Sequence, residues 1–192
     1  MKKVLVPVLL LAALLSACSP KAVDPKDIPS ERQGDVAATR WSYAENGLVL
    51  QLTSTDDLNL FENSPHTLLM CIYELSGREG FDQLAQSKTG MDRLLECKDF
   101  DASVVLSRRR IAHPGKQETV VMDRHEKARF VAVVGGFYTM IPARSALLSA
   151  IPLVEERDGT FWWSERKFQP AVLNMRIELG ADGLKPLPSQ DK

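Results

Sequence analysis

Three histidines and three cysteines are the side chains of this sequence best suited to metal binding, proton transfer or nucleophilic attack. His66, His113 and His125 fall in turns or loops, far apart along the chain. No two of them stand at i, i+4 spacing, and no Cys-x-x-Cys or acidic cluster accompanies them, so they read as surface histidines. There is no G-x-S-x-G elbow, P-loop or dinucleotide fingerprint. Gly135-Gly136 is an isolated pair inside an apolar stretch, and the carboxylates are scattered over loops. Arg108-Arg109-Arg110 invites an anionic ligand, but strand alternation turns Arg109 away from the other two. A solvated edge with snorkelling stems is the better reading. The residues predict no enzyme, no metal and no cofactor. A net charge of −1 gives no basic footprint for nucleic acid.

Cys18 is the exception. Lys2 and Lys3 precede an apolar run from Val4 to Leu15 that only Pro7 interrupts. Spanning about 30 Å of hydrocarbon takes roughly 20 residues, so this run is a targeting segment, not a membrane span. Leu15-Ser16-Ala17-Cys18 resembles the lipobox of bacterial lipoproteins, with an ordinary cleaved secretory signal as the alternative. The lipobox implies removal of residues 1–17 and acylation of the Cys18 sulfur and amine. Ser19, where Asp would resemble an inner-membrane retention signal, favours the outer membrane. Three acyl chains exceed the two signals that stable anchoring takes. The remaining 175 residues carry 22 Lys or Arg against 25 Asp or Glu, and suit one domain with a real core.

Two cysteines are left in the body, Cys71 and Cys97. In an oxidising compartment they are a candidate disulfide, contributing about 3 kcal/mol in the chain-entropy model. Two buried thiols are the alternative, because Cys71 lies in an apolar strand pattern.

The elements follow from periodicity. Ser19 to Arg40 holds three prolines, charges and few apolar residues, and reads as a tether. Leu48, Leu50 and Leu52 share one face of a strand. Thr67 to Leu75 is apolar on both faces, as a central strand would be. Between them Thr55–His66 is a polar connection of a length that is usually functional or mobile. Leu58, Leu60 and Phe61 are misplaced on it: either tucked under as a plug or presented to a partner.

Phe81 to Cys97 predicts two short helical pieces, with Gly90 as the interruption. Ala102–Ile111 and Glu118–Met122 predict strands on either side of a His113-Pro114-Gly115 turn. Arg129 to Tyr138 is the most apolar strand, with a bulge or close backbone approach at its glycines. Ile141–Ala150 reads as irregular or a short helix. Asp158-Gly159 signals a hairpin pairing Ile151–Glu155 with Thr160–Ser164, where Phe161, Trp162 and Trp163 add aromatics to both faces. Ala171–Leu179 is the last strand, and a disordered tail follows. The domains are then a signal peptide at 1–17, an acylated tether at 18–40, a sandwich domain at 41–180 and a tail at 181–192. The fold class is mainly β: an antiparallel β-sandwich of seven to eight strands with a short helical insertion.

These residues also carry a family likeness. Asp57-Leu58-Asn59, then Pro65, then Leu69-Met70-Cys71-Ile72-Tyr73-Glu74-Leu75, then Phe81 and Leu94 resemble the type VI secretion lipoprotein family TssJ, also called VasD or SciN. His113-Pro114-Gly115 followed by Arg129 to Tyr138 resembles that family's Pro-Gly turn and long apolar strand. Pro142-Ala143-Arg144-Ser145 stands where the family has a Trp-Arg pair, and the Cys71/Cys97 pair is not general in it. The resemblance implies a transthyretin-like sandwich. It implies an outer-membrane lipoprotein facing the periplasm, with no cofactor beyond the lipid on Cys18. Its partner would be the periplasmic part of TssM, with TssL joined indirectly. The family's binding loop maps onto Thr55, Asp56, Asp57, Leu58, Asn59, Leu60, Phe61, Glu62 and Asn63. The competing reading is a lipoprotein binding a small ligand or lipid, with Trp162 and Trp163 in a pocket.

Overall fold

The computed structural model describes residues 21–158 and 165–188. Two open four-stranded sheets face each other across one core. The first contains β1 (Ala44–Ser54), β4 (Gln117–Arg124), β9 (Leu173–Leu179) and β10 (Leu184–Leu187), in the order β10-β9-β1-β4. The second contains β2 (Leu68–Leu75), β3 (Val104–Ala112), β5 (Phe130–Gly135) and β6 (Ala146–Ala150), in the order β3-β2-β5-β6. A hairpin of β7 (Leu153–Asp158) and β8 (Glu165–Pro170) stands apart.

The strand periodicity explains the core. Leu48, Leu50 and Leu52 of β1 meet Leu68, Met70 and Ile72 of β2 between the sheets. The alternate residues of β2, Cys71, Tyr73 and Leu75, face outward onto α2 (Glu79–Leu84) and α3 (Lys88–Leu94). β2 is therefore covered on both faces, which is why its sequence does not alternate. Cys71 is disulfide-bonded to Cys97, with Cα atoms 5.2 Å apart, and this pins the helical layer to the central strand.

Several expectations need correction. Among the described residues there are ten strands, not seven or eight. The sandwich is not purely antiparallel: β1 and β9 pair in parallel, Leu48 to Leu173 through Ser54 to Leu179. The helical break falls at Ala85–Ser87, where Ser87 caps α3 by accepting the Gly90 N–H at 3.0 Å. Gly90 instead lets α3 approach the backbone of Leu84, which a Cβ there would strike at 2.0 Å. Ile141–Ala150 contains α4 (Pro142–Ser145) and the edge strand β6. In the hairpin, Leu153 faces Pro170 and Asp158 faces Glu165, so the partner strand is Glu165–Pro170. The expected partner, Thr160–Ser164 with Phe161, Trp162 and Trp163, lies outside the described residues. The start of the expected tail, Leu184–Leu187, pairs with β9.

The expected tether is also folded over most of its length. Val23 exchanges two 2.8 Å backbone hydrogen bonds with Leu153. Ile28 is buried against Leu153 and Phe168. The Arg32 guanidinium lies 4.6 Å over the Phe168 ring and donates to Glu155 at 3.0 Å. Short helical turns at Pro25–Asp27 and Ser30–Arg32 lead into α1 (Gln33–Ala37). One buried isoleucine with aromatic and aliphatic partners is enough to hold a segment whose composition alone predicts a coil.

Candidate functional site at the loop end of the sandwich

β1 delivers Ser54, and β2 starts at Leu68, at the same end of the sandwich. The connection between them is not mobile in design but bolted down. Thr55 donates its N–H to Leu179 at 3.0 Å, and its carbonyl accepts the Gly115 N–H at 3.1 Å. Leu58 inserts fully into the inter-sheet core. Asn59, buried and at φ 48°, is the key bolt. It donates Nδ2–H to the Thr67 carbonyl at 2.9 Å and accepts the Tyr138 N–H on Oδ1 at 2.8 Å. Its own N–H and that of Leu60 donate to Gly180 and Ala181. The same side chain thus ties the loop to the chain after β5.

The tip is a two-residue turn. Phe61 and Ser64 exchange backbone hydrogen bonds of 3.0 and 2.9 Å. Glu62 at φ 48° and Asn63 at φ 59° both occupy the left-handed region, as a type I′ turn requires. Asn tolerates that region, whereas Glu is strained there by about 1 kcal/mol or more. A strained turn held by this many hydrogen bonds presents its side chains in one arrangement.

The turn presents Phe61, which is 43% exposed. Tyr138, 57% exposed, stacks on it with centroids 4.7 Å apart and planes 19° apart. His66 packs edge-on to Tyr138 at 4.9 Å. Its Nδ1 lies 2.9 Å from the Ser64 carbonyl. A carbonyl can only accept, so Nδ1 carries a proton, and it is the tautomer with Nδ1–H that leaves Nε2 as an acceptor. Asp56, Asp57 and Glu62 surround this cluster in sequence; all three are exposed and have no ion-pair partner among the described residues.

The loop's apolar residues divide between burial and exposure. Leu58 is the plug, Leu60 is half-buried, and Phe61 is presented. Residues 55–63 are brought together with His66, which ends the connection the sequence singles out, and with Tyr138, which the sequence does not mark as part of a site. The only hint of Tyr138 is an aromatic immediately past an apolar strand.

The other histidines do not join this cluster, although His113 lies at the same end. His113 is exposed in the β3–β4 turn, and His125 lies at the opposite end, where its ring and N–H contact the buried Glu74 carboxylate. Among the described residues no three His, Cys, Asp or Glu side chains gather as metal ligands. Arg109 donates to the Glu96 carbonyl at 3.2 Å, toward the helical layer, while Arg108 projects into solvent. The space between the sheets is filled by side chains, and the large hollows are open surface clefts, such as the one of about 640 Å³ beside Trp41 and Arg129. Cys18 lies outside the described residues.

The chain belongs to the family described as type VI secretion lipoprotein, VasD, EvfM, TssJ, whose sequence model matches residues 46–181. It is therefore a secretion lipoprotein of a structural family without a known cofactor, and not an enzyme. Its fold is similar to that of the lipoprotein TssJ1 from Pseudomonas aeruginosa, with TM-score 0.52 and 16% identity over 78% of this chain and 98% of that one. It is also similar to Serratia marcescens Lip, described as a membrane-bound component of the type VI secretion system (TM-score 0.55, 14% identity, 77% and 98% covered). A third similar chain comes from a structure titled "T6SS protein TssM C-terminal domain (869-1107) from EAEC" (TM-score 0.55, 16% identity, 74% and 98% covered). No curated protein sequence matches the chain significantly.

Proposed function

We propose that this lipoprotein is anchored in the outer membrane through acylated Cys18 and binds the periplasmic domain of TssM through the Thr55–Asn63 loop. It thereby braces the secretion machine across the envelope, with TssL linked through TssM. The observation that carries this reading is the loop itself: pinned by Asn59 and Leu58, and exposing Phe61 on a strained turn. Rigid presentation of an aromatic lowers the entropy lost on binding.

The structure also dictates how to test it. Deleting 56–63 would take Leu58 out of the core, at about 2–5 kcal/mol. The combined variant Phe61→Ser, Glu62→Asn and Asn63→Gly keeps the turn, because Asn-Gly favours type I′, and removes only the displayed groups. The thermal unfolding temperature should not fall, since the relieved strain at position 62 offsets the lost ring stack, and capture of the TssM periplasmic domain should fall at least tenfold. Undiminished capture would sink the loop assignment.

A further inference from the structure

The loop end combines features that are complementary to one kind of side chain. Phe61 and Tyr138 offer stacked, half-exposed rings. His66 offers an acceptor nitrogen, with its other nitrogen engaged by Ser64. Asp56, Asp57 and Glu62 are exposed carboxylates without ion-pair partners among the described residues. Of the cations on neighbouring segments, Lys116 stands in the turn whose Gly115 abuts Asp56, while Arg144 pairs with Asp182 at 2.6 Å and Lys185 with Glu178 at 3.8 Å. Aromatic faces attract Arg and Lys through their quadrupole, carboxylates add charge, and a neutral imidazole nitrogen adds an acceptor.

We infer that Phe61, Tyr138 and His66, on a connection that also carries the exposed carboxylates Asp57 and Glu62, form a seat for an arginine or lysine side chain of the partner protein. This rests on the proposed binding of TssM at this end. It adds Tyr138, from a separate segment of the chain, and the chemical class of the group it receives. Asn59 accepts the Tyr138 N–H, which holds the Tyr138 backbone beside the loop that carries Phe61. The seat is thus built before the partner arrives. The stack leaves ring faces and edges in solvent, so the arriving cation needs no rearrangement of the loop.

The test uses the full chain co-produced with TssM. A photoreactive benzoylphenylalanine is placed at position 61 or 138, and the adducts are mapped. Binding is measured in parallel for Phe61→Leu, Tyr138→Leu and the pair Asp57→Asn with Glu62→Gln. Leu keeps apolar area and removes the ring face. The expected result is crosslinking from both positions to TssM peptides at an Arg or Lys. Each Leu variant should weaken binding about 5- to 20-fold, a size ordinary for a cation over a ring. The paired carboxylate variant should flatten the dependence of affinity on salt. Crosslinking from 61 but not from 138, wild-type affinity in Tyr138→Leu, or adducts away from any Arg or Lys would overturn the seat and leave the loop reading standing. Silence at both positions, with full binding by the three-residue turn variant, would overturn both.

Discussion

Tyr73 shows how single groups in the helical layer set the stability of the whole. It stands on β2, fully buried, with its hydroxyl donating to the Leu94 carbonyl and its ring edge-on to Phe100 at 5.4 Å. Burial pushes its phenol up to about 12, opposed in part by the backbone N–H groups of Lys98 and Cys97. In the unfolded chain the phenol ionises near pH 10. The raised value therefore contributes stability that is full below about pH 10 and is lost as the pH climbs toward 12. Urea unfolding at about pH 9 and about pH 11 should show wild type losing about 1 kcal/mol more than Tyr73→Phe over that interval. Equal losses would show that the phenol does not titrate in the unfolding equilibrium. At lower pH Tyr73→Phe should itself be less stable by about 1 kcal/mol, for the missing hydrogen bond. At the same scale, the sequence singles out Phe61 because an aromatic on a polar connection has no local reason to be there. It does not single out Tyr138, whose ring partner lies on another segment and whose backbone is held by Asn59. Pairings of that separation leave no periodicity to read.

Among the elements, the clearest in the sequence are those with uninterrupted period or length. β1 alternates; β5, and β2 apart from Glu74, are apolar and lie centrally in their sheet. The elements that escape are short or lie at edges. β6 is five residues of mixed polarity, and β10 contains Pro186, which an edge strand tolerates. The parallel pairing of β1 with β9 joins residues more than a hundred positions apart, which no local signal encodes. The segment from Val23 to Thr39 is read as tether because its larger apolar side chains, Val23, Ile28 and Val36, are few and follow neither a strand nor a helix period. Only the β7–β8 hairpin gives it something to bury against. Its docking is local, so it should open without global unfolding. Ile28→Asp combined with Arg32→Ala should raise hydrogen exchange across residues 23–37 at least tenfold while leaving exchange in β1 and β2 unchanged. Retained protection in 23–37 would show that the segment is held by other means.

At the scale of the molecule, the two ends of the sandwich are occupied by different things. The loop, the Gly115 turn and Tyr138 lie where β1 ends. Trp41, Arg124, Arg129 and the docked N-terminal segment lie where β1 begins, with the Arg129 guanidinium 4.0 Å over the Trp41 ring. The eleven residues of β1 hold these ends about 30 Å apart. With Cys18 as the proposed anchor, the displayed loop points away from the membrane. Cys18→Ser should move the protein from the membrane to the soluble periplasmic fraction and stop secretion. Sedimentation with membranes by the variant would refute the anchor.

Docking from Val23 onward leaves only five steps of chain between that residue and Cys18, a reach of about 17 Å in place of the roughly 75 Å that an open run to Arg40 would allow. A linker's effective concentration scales about as the inverse three-halves power of its length. Closing the segment against the hairpin thus raises the local concentration of the loop about ninefold at a partner placed within that shorter reach. It lowers it steeply for one placed farther out. With Cys18 as the proposed anchor, the buried Ile28 contact would in this way set how far from the membrane a partner can be met.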